Sequence, residues 1–434
     1  MKQEKKQLFP LYFFFFTASL AVCTITFPAM GTCAVFLSLI MVLFSNNLLK
    51  IQNISLYFSF VFKLYFFPML VAALIACIML SFRNDVFYYE YFKSFLPSRL
   101  IHLFAFICFF IYAHNLLSSS SIKYLNRSLY IYALGVFLIL GVFGIWQIFH
   151  NVLGIWVPTV ETRNELYFAS FMGLQRVTSL ADEPSYLVPF LIDAMLICFY
   201  LKRKILSCLF LVVCLFSLSF GGYLELIILC ITYVFLTKSF SKLKFLLWGG
   251  AIVFCLVIIF PDAVEMTLEI IGSRKELSSD FEVTDTARTT MIVYPWKILF
   301  QGNLLSILFG NGPSSFKYLH LKIKQPNGDE FHTTSNNLYT DIAYEGGVLS
   351  ILCLIILFIY MWKMFSNIKV LHFQRETFFA KLFLVHIATS SFYRGDYISA
   401  RFISLFLIIE IFYLIILQKD DFSNNSNLSS TTIY

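Results

Sequence analysis

The sequence predicts an all-α polytopic membrane protein with about twelve transmembrane helices and one large helical loop on the outer face. Three observations predict it. Of the 434 residues, 59% are hydrophobic and only 13% charged, whereas a soluble domain carries about 25% charged residues. Apolar runs approaching the ~20 residues that cross hydrocarbon recur along the chain, which holds 52 Phe and 24 Tyr. Residues 261–346 form the one long polar break, and no separate soluble domain is expected.

The spans are expected near 8–26, 29–45, 61–82, 100–117, 128–150, 184–201, 205–220, 222–237, 245–260, 347–364, 379–393 and 402–418. The basic start, residues 1–6, leads into a retained first helix rather than a cleaved signal. Gly221-Gly222 splits the run 205–237 into two short helices. Charge bias supports that split. With the start inside, the inner loops hold Lys50, Lys123 and Arg127, Lys202-Arg203-Lys204, Lys238 with Lys242 and Lys244, and Lys369 with Arg375; the clusters at 202–204 and 238–244 both fall inside only if 205–237 is a hairpin. Both termini are then cytoplasmic, and the Ser/Asn-rich tail 420–434 reads as disordered. The expected organisation is a membrane domain 1–260 with an outer loop 151–183, a large outer loop 261–346, a second membrane part 347–418, and a cytoplasmic tail 419–434.

The net charge of +7 sits largely in short loops between spans, so it sets topology and does not indicate nucleic acid. All ten Cys lie in apolar runs with no Cys-x-x-Cys pair, which fits neither a disulfide framework nor a metal site. The expected outer loops 83–99, 151–183, 261–346 and 394–401 hold Arg83, Arg99, Arg163, Arg176, Arg274, Arg288, Arg394 and Arg401. Arginine suits phosphate because its planar fork binds bidentately. Any single one is more often paired with a nearby acid, such as Glu161, Glu165 or Asp396. As a set at the membrane edge they point to an anionic ligand.

The long loop shows internal order. Residues 286–301 predict a helix interrupted at Pro295 and lying on the membrane surface. Residues 304–309 are apolar and end in the turn Gly310-Asn311-Gly312-Pro313. Ser335 or Asn336 is expected to cap a short helix, 337–344, that ends at Gly346-Gly347 and feeds the tenth span. His332 stands just ahead of that helix, where an imidazole can take a proton from a hydroxyl nucleophile. On residue type alone a loop histidine is more often a surface residue; its position raises it above His320.

Arg176 precedes Glu183-Pro184-Ser185 at the head of the sixth span. Proline in the first turn and an acid at the helix start give Glu183 a structural explanation, so its catalytic reading is the minority one. Arg176 has no such evident role in the sequence and ranks higher as a ligand contact, with pairing to Asp182 or Glu183 as the alternative. Within the spans Lys63, Asp193, Glu225, Lys381, His386 and Glu410 are unusual, because ionisable groups are costly in hydrocarbon. Lys63 and Lys381 fall near span ends, where they can snorkel. Asp193 and Glu225 suit either a proton relay of a transporter or groups satisfied by neighbouring helices. No phosphate loop, His-Glu-x-x-His motif or nucleophile elbow occurs. No Asp-x-Asp stands in an outer loop to hold a cation, so the basic groups are expected to do that work without metal.

In order, four segments resemble the Wzy-type O-antigen and capsule repeat-unit polymerases and their relatives, the O-antigen ligases. They are Arg176 with Glu183-Pro184-Ser185; Arg288, Trp296 and Leu308-Phe309-Gly310-Asn311-Gly312-Pro313; His332 with Asn336-Asn337-Leu338-Tyr339 and Glu345-Gly346-Gly347; and Arg394-Gly395-Asp396. The resemblance covers roughly residues 160–400. It implies a GT-C-like membrane glycosyltransferase of the bacterial inner membrane with its active site facing the periplasm. The substrate implied is an undecaprenyl-diphosphate-linked oligosaccharide. The growing glycan would leave its carrier and join the non-reducing end of a new lipid-linked unit. Arg176 and Arg288 would hold diphosphate, with Arg163, Arg394 and Arg401 as weaker candidates. His332 would position or deprotonate the acceptor, with Glu183 and Asn336 in support. A chain-length regulator and a flippase are the protein partners implied, with no cofactor and no metal. The alternatives are an O-antigen ligase transferring glycan to lipid A core, and a transporter or flippase for the lipid-linked unit. The Glu-Pro-Ser form is the more polymerase-like.

Overall fold

A computed structural model gives the structure, describing residues 8–23, 30–43, 54–82, 86–158, 176–237, 288–322, 335–368, 374–395 and 397–430. Every regular element among them is a helix. In chain order these are α1 (Phe9–Thr17, extended by a tighter turn Ala18–Val22), α2 (Met30–Leu43), α3 (Leu56–Leu80), α4 (Val86–Ser118) and α5 (Ile122–Leu153). Then come α6 (Pro184–Tyr200), α7 (Lys204–Phe216), α8 (Phe220–Thr237), α9 (Arg288–Gln301), α10 (Leu304–Phe309) and α11 (Phe316–Lys322). The last three are α12 (Leu338–Ser366), α13 (Gln374–Ser390) and α14 (Ala400–Ser430).

Six of the described helices are long and apolar enough to cross a membrane: α3, α4, α5, α8, α12 and residues 400–420 of α14. Four shorter ones (α1, α2, α6 and α7) are also apolar. The chain is therefore a polytopic helical membrane protein. The expected ninth span, 245–260, lies outside the described residues. The split of 205–237 is present as α7 and α8.

Burial ranks the helices. In α14 89% of the apolar window is buried, against 17% in α8. So α14 is the central post and α8 is peripheral. The post is fixed along its length by polar ties. Tyr57 donates to the Phe406 carbonyl (2.8 Å). His114 of α4 meets Glu410 with both side chains fully buried. Gln418 donates to the Ser120 carbonyl (2.7 Å) and Lys419 to Glu376 (2.8 Å). Each tie satisfies a polar group that hydrocarbon would otherwise penalise.

Three expectations need correcting. Residues 83–99 were expected as an outer loop, but α4 begins at Val86 and runs through them. Tertiary packing decides this: Tyr88 and Tyr91 are buried with Tyr318, Ala76 and Met79 in a satellite core. Residues 420–434 were expected to be disordered, yet α14 continues to Ser430. The cap of α12 is neither Ser335 nor Asn336. It is Asn337, whose side chain accepts from the Thr340 amide (3.1 Å). Asn336 instead turns the chain with φ of 54°, a conformation Asn tolerates better than most residues.

The polar stretch is anchored into the membrane helix. α12 breaks at Gly347 (φ 74°, ψ 179°), and the turn after α10 enters the break. Asn311 N donates to the Tyr344 carbonyl (3.0 Å) and Gly312 N to the Glu345 carbonyl (2.9 Å). These are the carbonyls a broken helix leaves without intrahelical donors. A Cβ on Gly310 would overlap the Glu345 carbonyl, and one on Gly347 would overlap the Leu308 carbonyl. Both glycines also have positive φ, which L-residues resist. Gly310→Ala and Gly347→Ala are each expected to destabilise the protein by about 2 kcal/mol or more, measured by thermal unfolding in detergent. Gly154→Ala, with positive φ but open space around it, is expected to cost about 1 kcal/mol.

Candidate functional site

The segment 176–183 is drawn into the bundle before α6 begins. The Val177 amide donates to the Phe216 carbonyl (3.1 Å), and Gln147 accepts from the Ser179 amide (2.7 Å). Glu183 is the extended residue before Pro184, and Ser185 donates to its Oε2 (3.1 Å). It is buried at the helix start, where an acid favours the helix dipole. Arg176 acts electrostatically on Tyr223 in the first turns of α8.

The loop between α13 and α14 is clamped from several sides. The Leu338 amide donates to the Ser391 carbonyl (2.9 Å), and Asn337 Nδ2 donates to the Phe392 carbonyl (3.0 Å). Gly395 lies against the Asp341 carboxylate so closely that a Cβ would clash. The Tyr393 hydroxyl donates to Glu225, and the Tyr397 hydroxyl to Glu345. Burial, and then the facing carboxylate, push both phenols well above their ordinary range, so both remain donors. Glu345 also accepts from the amides of Ser314 (2.6 Å) and Phe316 (3.3 Å), which ties the docked turn to the same loop.

On this clamped loop sits Arg394. Its guanidinium lies 3.8 Å from the Tyr186 ring centroid. The Tyr186 hydroxyl donates to Asn336 Oδ1 (2.8 Å). The Arg176 loop, through α6, and the end of the long loop therefore meet. Stacking holds a guanidinium in one plane, the arrangement that favours bidentate binding of an anion. Beside it, Ser335 donates to Asp341 Oδ1 (2.7 Å) and braces the turn ahead of α12. The Trp296 indole of α9 donates to Thr340 Oγ1 (3.1 Å), so the helix headed by Arg288 leans on that same turn.

Beneath this end lies a buried charged network. Arg401 grips Asp193 with Nε (3.1 Å) and Nη2 (3.3 Å). His386 Nε2 meets Asp193 Oδ1 and Nδ1 meets Glu225 Oε1. The imidazole ring bridges the two carboxylates, and Arg401 Nη2 lies 3.1 Å from its Nε2. Tyr132 donates to Asp193 (2.8 Å) and Arg401 donates to Ser390 (3.3 Å), closing the network. All four ionisable groups are buried. Arg401 was expected in the last outer loop; it is instead in the first turn of α14, committed to Asp193.

His332 and Arg163 lie outside the described residues, and so does Asp396. Arg288 heads α9, but its side chain is not described. The structure thus assembles Arg176, Glu183, Asn336 and Arg394 at one end of the bundle, with Arg401 directly below. Sequence reasoning missed Tyr186, Tyr393 and Asp341. The signal was faint: Tyr186 follows the Glu-Pro-Ser motif, and Asp341 stands in the first turn after the Asn pair.

Residues 205–355 match the family described as O-antigen ligase. The match spans the α7–α8 hairpin, the long polar stretch and the first part of α12. It supports the O-antigen ligase/polymerase superfamily and a glycosyltransferase-like activity, and it does not separate polymerase from ligase. A search of the curated proteins finds no match.

Arg401→Met leaves Asp193 buried with its main cation gone, a loss expected to cost about 3–5 kcal/mol. Pairing it with Asp193→Asn should restore part of that stability. A double-mutant cycle on thermal unfolding checks this, and additive losses would show that the pair is not coupled.

Proposed function

We propose that the protein polymerises lipid-linked oligosaccharide repeat units. The observation that carries this is the convergence of the Arg176 segment, the Asn336–Asp341 turn and the stacked Arg394 at one end of a membrane bundle. In this reading that end faces the periplasm and both termini are cytoplasmic. The inner-membrane bundle has about twelve spans and a GT-C-like architecture.

The donor is a growing glycan on polyprenyl diphosphate, and the acceptor is a hydroxyl at the non-reducing end of a second lipid-linked unit. The acceptor oxygen bonds to the anomeric carbon as the bond from that carbon to the diphosphate oxygen breaks. The electron pair leaves with the diphosphate, and His332 takes the hydroxyl proton. Negative charge grows on the diphosphate in the transition state. Arg176, Arg288 and Arg394 are assigned to meet it, since preorganised cations stabilise developing charge best in a water-poor site. Arg163 is assigned to the second diphosphate. Arg401 contributes from below by holding the α13–α14 loop in place. Glu183 and Asn336 support Arg176 and Tyr186.

Transfer to lipid A core by an O-antigen ligase is the second reading; the matched family is described by that activity, and its match fits both readings. Gel profiles of surface glycan separate the two. Deletion of a polymerase gene leaves single-repeat glycan on core. Deletion of a ligase gene leaves long chains on the lipid carrier and none on core. An unchanged ladder removes both readings.

Arg176→Lys keeps the charge and loses the fork. It is expected to lower polymer formation about thirtyfold, equivalent to about 2 kcal/mol for a lost charge-assisted contact, at unchanged protein level. The assay is reconstitution with purified lipid-linked repeat unit and no added metal. Near-normal polymer would make Arg176 a structural residue.

A further inference from the structure

At the end of the bundle opposite Arg176 and Arg394 is a cavity of about 1110 Å³, lined by the ends of α6, α8 and α12 and the starts of α7 and α13. Four cations line it: Lys202, Lys204, Arg375 and Lys381. No carboxylate is among the described lining residues. The nearest acid in sequence, Glu376, is already bound by Lys419 (2.8 Å) and Tyr200 (3.3 Å). None of the four cations forms an ion pair among the described residues.

Two of these cations are held in place. The Arg375 guanidinium donates to the Tyr200 carbonyl and lies 5.1 Å from the Tyr200 ring centroid. The Lys381 ammonium lies 5.3 Å from the Trp362 ring centroid. Lys202 sits in a left-handed turn (φ 61°) between α6 and α7, and both it and Lys204 are exposed. Four like charges around one cavity repel one another unless an anion sits among them. Apart from Thr237 and Thr377, the remaining wall is apolar and aromatic, including Phe199, Tyr233, Leu236 and Phe378. A small hydrated anion has no use for such a wall; a molecule that is anionic at one end and hydrocarbon at the other matches both parts.

We infer that this cavity binds an anionic phospholipid. Its phosphodiester headgroup sits among Lys202, Lys204, Arg375 and Lys381, and its acyl chains run along Phe199, Tyr233 and Phe378. The site lies at the end of the bundle away from the candidate glycan-transfer site and is independent of the reading given to that site. Basic pockets between membrane helices recognise headgroups in this way.

Native mass spectrometry of the full chain, released from vesicles of phosphatidylcholine mixed with phosphatidylglycerol, tests the assignment. The expected result is selective retention of phosphatidylglycerol. Arg375→Glu with Lys381→Glu is expected to reduce that retention about thirtyfold or more, from two lost headgroup contacts. Lys123→Glu, a charge reversal at an exposed residue that does not line the cavity, should leave it unchanged. If the first variant does not fold, Lys202→Gln with Lys204→Gln in the exposed turn should lower retention, and thermal unfolding confirms that this variant is folded. Equal retention of both lipids would overturn the inference, as would an equal loss in Lys123→Glu. Inorganic phosphate forms the second arm: displacement of the lipid by millimolar phosphate would assign the cavity to a free anion instead.

Discussion

Neither Asp193 nor Arg401 can stay inside a membrane bundle without the other. An uncompensated charge in hydrocarbon costs several kcal/mol, and pairing with full hydrogen bonding is what makes its burial tolerable. The pair recruits His386, which recruits Glu225, which recruits Tyr393. With Tyr132 the network ties α5, α6, α8, α13 and α14 to one point. Apolar packing between helices is weakly directional in lipid, since lipid tails are as apolar as leucine. The network is directional, so it selects one arrangement of those five helices.

A second constraint acts from the other side of the same loop. The break of α12 at Gly347 leaves carbonyls at Tyr344 and Glu345, and the Gly310–Pro313 turn supplies the missing donors. Glu345 then receives Ser314, Phe316 and Tyr397. The α13–α14 loop is thus held by Tyr393 on the charged network and by Tyr397 on the docked turn. Arg394 lies between these two anchors. Its position depends on the buried contacts on either side of it and on the Tyr186 ring, which makes it more than a flexible surface arginine.

Much of this was legible from residues alone. The apolar runs marked most of the described helices, and the 310–313 turn was readable from its composition; the division of 205–237 was readable from charge bias, but the break falls at residues 217–219 and Gly221-Gly222 lies inside α8. Asp193, Glu225, His386 and Glu410 stood out as ionisable residues in apolar runs. Their partners were not legible, because pairs such as Asp193 and Arg401 are 208 residues apart and nothing local marks one for the other. His114, partner of Glu410, passed unnoticed for the same reason. Arg401 was assigned to an outer loop because a charge at a span edge looks solvated until the helix facing it is known. Residues 83–99 looked like a loop because Tyr and Lys interrupt the apolar run; burial of Tyr88 and Tyr91 against α11 makes residues 86–99 helical.

The sequence by itself determined that the chain crosses the membrane many times. That follows from composition and segment length, which are local and additive. It also marked the candidate segments, because glycine turns, Glu-Pro-Ser and arginines between apolar runs are short patterns. Only the tertiary structure decided which charges are neutralised in the interior and which are presented at the end of the bundle. That choice depends on distances between residues far apart in the chain, and the cost of an unpaired buried charge enforces it.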